Sequence, residues 1–205
     1  MAQTIPSVAC LGVIGRNNNP LHITIFPSYD PATHTYTPVR TPLQFSLLLS
    51  GTLDVFEARS RHHQANPAGG GGGASMLLSG DFGLLHAVDD RLAAYGFETN
   101  TGVKFVAVVD MRGRLPSRNT TTTATTAGSR GGMGLRDNEL KPVFRAMQTA
   151  YVRLLQNPFY DPDETTVIAG GKPGVGAGAK RITSRKFGDE MRRIGEAWAP
   201  GVASV

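Results

Sequence analysis

The chain has 205 residues, 40% of them hydrophobic and 7% aromatic, enough for one domain-sized core, and no run approaches the roughly 18 apolar residues of a membrane span. A single cysteine, Cys10, excludes an internal disulfide and gives no sign of an oxidising compartment. The formal net charge of +5 is concentrated, because residues 180–193 hold six basic residues against two acidic ones and leave the rest nearly neutral; such a segment reads as a solvated or acid-facing helix face before it reads as a nucleic-acid surface.

In chain order, Val8 to Ile14 reads as a strand that is apolar on both alternating faces, with Val8, Cys10, Gly12 and Ile14 on one and Ala9, Leu11 and Val13 on the other. A strand of that kind is covered on both sides. Cys10 then reads as a small buried hydrophobe, since no cationic setting would activate its thiol. No basic residues precede this run, so it does not read as a signal peptide, and the Asn119-Thr120-Thr121 sequon carries little meaning in a chain that stays in the cytosol. "RNNNP" turns the chain, and Leu21 to Phe26 returns as the second strand of a hairpin. Residues 27–42, with four prolines, read as a connector.

From Leu43 the period becomes helical. Phe45, Leu48, Leu49, Thr52, Leu53 and Phe56 share a face, and the helix ends near His63. Gly51 within it costs about 1 kcal/mol relative to alanine. Phe82 to Val88, Arg91 to Glu98 and Val103 to Asp110 follow as strands with short turns, and so pair antiparallel. "VKFVAVVD" is again apolar on both faces and belongs in the centre of the sheet, beside the first strand. A second helix places Leu140, Val143, Phe144, Met147, Tyr151, Leu154 and Leu155 on one face. Asp137 or Asn138 is the expected cap, Pro142 falls in the first turn, and Pro158 marks the end. A last helix follows Ser184, with Phe187, Met191, Ile194 and Trp198 on its apolar face. The expected class is α/β (α+β): a five-stranded, mainly antiparallel sheet with helices on both faces, in the order β-β-α-β-β-β-α-α. The whole of 1–205 reads as a single domain with low-complexity insertions near 64–75, 113–134 and 164–181, which cannot bury enough apolar surface to offset the entropy of ordering them.

Chemical motifs are sparse. "GKPGVGAGAK" lacks the Gly-Lys-Ser/Thr step of a phosphate loop, and no strand leads into it as a dinucleotide fingerprint requires. "SRGGMG" holds a single Arg-Gly-Gly, too little for an RNA-binding tract. His62 and His63 end the first helix, where cations suit the dipole, and no second His/Cys cluster accompanies them as metal ligands. Asp110, Asp161, Asp163 and Glu164 read as scattered loop carboxylates without acid/base spacing, and no nucleophile elbow appears. The sequence therefore supplies no catalytic, cofactor-binding or metal site. "NPFYDP" remains: Pro158 forces the chain out of the helix and fixes Phe159 and Tyr160 near its end, where one or both rings cap the core or border a docking surface.

"ACLGVIGRNNNPLHI", "SGTLDVFEAR", "AAYGFETNTGVKFVAVVD", "LRDNELKPVFRAMQTAYVRLLQNPFYDP" and "RITSRKFGDEM" follow one another in a pattern that resembles the TRAPP complex subunit 2-like proteins, relatives of sedlin. The resemblance covers nearly all of the core and fails only in the three low-complexity runs. It implies a longin (SNARE-like) fold. It implies a noncatalytic adaptor joining the small-subunit core of a TRAPP vesicle tether to its large TRAPPII-specific subunits. Such a chain is cytoplasmic, peripheral at Golgi and ER-Golgi membranes, and reaches a Rab GTPase and the membrane only through the complex, whose nucleotide exchange other subunits perform. Carried over by matching position, Asp54 in "LDV" is tied to partner contact, Arg136, Asp137 and Asn138 match the helix-start motif, and Phe159 and Tyr160 match the corner; these are the partner-interface candidates. The rival readings are another longin-type trafficking adaptor and, more remotely, a basic nucleic-acid-binding module.

Overall fold

The computed structural model describes residues 4–65, 80–115, 135, 139–160 and 181–201, the side chains of 62–65 excepted. Its elements are β1 (Ile5–Ile14), β2 (Pro20–Ile25), β3 (Ser28–Asp30), β4 (Thr35–Thr37), α1 (Pro42–Ala65), β5 (Asp81–Ala87), β6 (Leu92–Glu98), β7 (Lys104–Arg114), α2 (Lys141–Leu155) and α3 (Arg185–Ala197). Five strands form one antiparallel sheet in the order β2-β1-β7-β6-β5. The doubly apolar strands β1 and β7 are neighbours at its centre, as their sequences require.

The two faces of the sheet hold separate cores. Phe105, Ala107 and Val109 of β7 and Ala93 and Tyr95 of β6 join Val143, Phe144, Met147, Phe187, Met191 and Trp198 under α2 and α3. Val106 and Val108 of β7 and Leu92 and Ala94 of β6 join Phe45, Leu49 and Phe56 under α1. The strand period of two thus sorts successive residues into opposite layers.

In β1 the simple alternation breaks. The register against β7 shifts between Val8 and Cys10, so Ala9 and Cys10 both face α1 while Val8 joins Leu11 and Val13 under the other helices. This is a bulge, and it reassigns Val8 and Ala9 relative to the strict alternation of the sequence. Gly12 faces α1, where an added Cβ would lie 2.7 Å from Leu49 Cδ1. Cys10 is buried, and desolvation pushes its thiol far above the ordinary range.

The proline-bearing connector contains a further two-stranded hairpin, β3–β4, which the sequence pattern did not announce. Arg91 holds it: Nη2 donates to the Tyr29 carbonyl at 2.8 Å, while Nε and Nη2 grip both carboxylate oxygens of Asp110 at 2.8–3.0 Å. Asp110 is therefore a fully buried residue of β7 and not a loop carboxylate.

Helix ends follow local chemistry. Thr41 and Gln44 form a capping box before Pro42, each side chain accepting the other's backbone N–H. Ser184 Oγ accepts the Phe187 N–H at the start of α3. The start of α2 differs from expectation, with Leu140 in the cap position and no side-chain cap; Asp137 and Asn138 lie outside the described residues. Trp198, fully buried, donates Nε1–H to the Glu139 carbonyl at 3.0 Å and ties the end of α3 to the start of α2. The low-complexity runs fall mostly outside the described residues, although α1 extends to Ala65 and β7 to Arg114, past the expected edges of the first two.

Candidate protein-interaction surfaces

On α1, Phe45, Leu49, Thr52 and Phe56 are buried against the sheet. At the helical angle of about 100° per residue, Leu43, Leu47, Ser50 and Asp54 cluster within about 60° of each other on the opposite side. All four are exposed, Leu43 by 70% and Leu47 by 66%. Two large exposed aliphatic side chains one turn apart, with a carboxylate two turns on, form an apolar strip with a polar rim. Gly51 adjoins it, and a Cβ there would meet nothing within 4 Å.

The corner after α2 separates its two aromatics. Asn157 accepts the Phe159 N–H on its side-chain oxygen at 3.1 Å and the Tyr160 N–H on its carbonyl at 3.0 Å. Pro158 contributes no donor of its own. The turn aims Tyr160 at the core beneath α2 and α3 and leaves Phe159 92% exposed. Leu155, expected on the buried face, is 43% exposed, and Val152 46%. These two and Phe159 make a second apolar surface, on the layer opposite α1.

The sheet edges are engaged from within the chain. Arg59 of α1 donates to the Phe82 and Leu84 carbonyls of edge strand β5 at 2.6 and 2.7 Å. At the other edge the Ile182 N–H donates to the Leu21 carbonyl of β2 at 2.9 Å. Strand addition would therefore meet at least one occupied carbonyl at each edge.

The basic last helix is partly compensated. Asp189 lies between Arg185 and Arg192, and Glu190 accepts from Arg153 of α2 at 2.7 Å and lies 3.5 Å from Arg193. Among the described residues no group of His, Cys, Asp and Glu is arranged to hold a metal, and no helix is long and apolar enough to cross a membrane. Of the sequence candidates, Asp54 and Phe159 stand at exposed surfaces, Tyr160 belongs to the core, and Arg136, Asp137 and Asn138 lie outside the described residues, as do Asp161, Asp163 and Glu164. Leu43, Leu47 and Val152 were not singled out, although the outward helical positions of three aliphatic residues were readable.

The family profile described as Sedlin matches residues 13–197, from the last two residues of β1 through β2–β7 and all three described helices. The chain belongs to the sedlin family. Among curated relatives, this sedlin-family chain is 29% identical to the trafficking protein particle complex subunit 2-like protein of Mus musculus over 157 residues, covering 76% of this chain and 84% of the relative. The Xenopus tropicalis protein of the same name gives the same identity and coverage. The Dictyostelium discoideum protein of that name is 27% identical over 156 residues, with 76% and 84% covered. The five-stranded antiparallel sheet between helical layers accords with the longin-like fold of sedlin.

Proposed function

We propose that this chain is a noncatalytic adaptor subunit of a TRAPP-type vesicle-tethering complex and that the outer face of α1 is its principal docking surface. The observation that carries the reading is the exposed strip Leu43–Leu47–Ser50–Asp54 on a chain whose relatives are named as subunits of that complex. Rigid aliphatic residues on a helix offer a partner apolar area at little entropic cost, and Asp54 at the rim sets register and charge preference. The finer reading is a TRAPPII-type assembly at the Golgi and in ER-Golgi and intra-Golgi transport, acting on a Rab GTPase through other subunits. In that assembly the chain joins the small-subunit core to the large TRAPPII-specific subunits. The same reading treats 1–205 as one longin-like domain.

Affinity purification of the full chain from cells tests this. The expected result is co-purification with TRAPP subunits, the large TRAPPII-specific ones included, and no acceleration of nucleotide release when the pure chain alone is added to a GDP-loaded Rab. Recovery without any TRAPP subunit overturns the adaptor reading, and faster release by the isolated chain overturns its noncatalytic character.

A further inference from the structure

α2 is built differently from α1 on its outward side. Lys141–Leu155 holds three basic residues and no acidic one. Arg153 is paired with Glu190. Lys141 and Arg145 are exposed and form an ion pair with none of the described residues. They stand one turn apart at the N-terminal end of the helix, where the macrodipole adds positive potential to theirs. On the same side, Val152 follows about 10 Å further along the axis. Leu155 flanks it, and Phe159 projects from the corner that Asn157 fixes. One surface therefore carries, at one end, cations that form no ion pair among the described residues and, at the other, three exposed apolar side chains.

We propose that this face of α2 is a second docking site, distinct from α1, for an amphipathic acidic segment of another protein. Its apolar anchors cover Val152, Leu155 and Phe159, and its carboxylates, about two turns away, reach Lys141 and Arg145. Charge complementarity selects this occupant. A basic segment would add like charges beside two exposed cations, and a purely apolar one would desolvate them without supplying a carboxylate. Phe159 is the anchor: its backbone is already held by the turn, so ordering the ring on binding costs little. The assignment rests on the adaptor reading, and gives the chain partner surfaces on both of its helical layers.

The test places a photo-reactive benzoylphenylalanine at Val152 of the full chain in cells and identifies the captured segment by mass spectrometry. The expected product is a segment of net negative charge with apolar residues at helical spacing. The paired reversal Lys141→Glu/Arg145→Glu lowers the cross-linking yield about tenfold, and replacing the captured segment's carboxylates by lysine restores it. Phe159→Ala lowers the yield without changing the melting temperature, because the ring is exposed. A captured segment that is basic or neutral, a yield that ignores the charge reversal, or a complex that assembles with nothing captured at position 152 overturns the assignment to α2 alone. Absence of TRAPP subunits from the same purification overturns the adaptor reading instead.

Discussion

Arg91 joins parts of the chain that the sequence keeps far apart. Its guanidinium neutralises Asp110, which has no exposed surface, and holds the Tyr29 carbonyl of the small hairpin. The hydrogen bonds to Asp110 raise the Arg91 pKa above its ordinary value, so the guanidinium stays charged. Arg91→Ala leaves a carboxylate buried without its counter-ion, and the expected loss is about 3 kcal/mol, read as a lower urea midpoint. His22 gives a pH signature. Burial beside α3, with its ring edge-on to Phe187 at 5.2 Å, pulls its pKa below the ordinary value. The unfolded chain then binds the proton more readily, so this group's contribution is full above about pH 6.5 and is lost as pH falls below it. Wild type is expected to lose stability from pH 7.5 to 5.5 more steeply than His22→Gln, and parallel curves would contradict that assignment. None of this pairing was legible in the sequence. Arg91 and Asp110 are separated by a strand, and no local pattern names a partner across it. The NPFY corner likewise fixed two aromatics in place without telling which would face the core, because the answer lies in which atoms of Asn157 accept which N–H groups.

Helix ends and strand faces decide the elements. Thr41→Ala removes the side-chain acceptor for the Gln44 N–H and breaks the capping box of α1, and the expected cost is about 1 kcal/mol in chemical unfolding. Thr41→Ser is expected to retain most of that stability. An unchanged midpoint in the alanine variant would mean that packing of Phe45 and Leu49 alone sets the start of the helix. Element type and order were readable because β7 is a short continuous apolar run after a turn signal and the apolar residues of α2 and α3 recur with a period of 3.6. The departures have physical causes. The β1 bulge exchanges the faces of Val8 and Ala9, which an apolar-on-both-sides sequence cannot register. The β3–β4 hairpin hides among prolines that read as breakers. Leu155 fits the apolar offsets of α2, but it sits at the margin of the buried face near the helix end.

At the scale of the whole molecule, both cores are closed beneath helices, both sheet edges have carbonyls engaged by the chain itself, and among the described residues the exposed large aliphatic side chains, Leu84 of β5 apart, lie on the outward faces of α1 and α2. That distribution is what an adaptor requires, with a rigid interior and separate surfaces for separate partners. The sequence carried the family through its motifs and offered Asp54 as a candidate by its position, while Leu43 and Leu47 beside it were readable from helical spacing but stood out only by their exposure on the folded α1. The most direct measurement is quantitative co-purification of TRAPP subunits with Leu47→Asp/Asp54→Lys, two exposed positions whose change leaves the core intact. We expect recovery to fall about tenfold at an unchanged melting temperature. Full recovery with the variant, at equal expression, would contradict docking through α1.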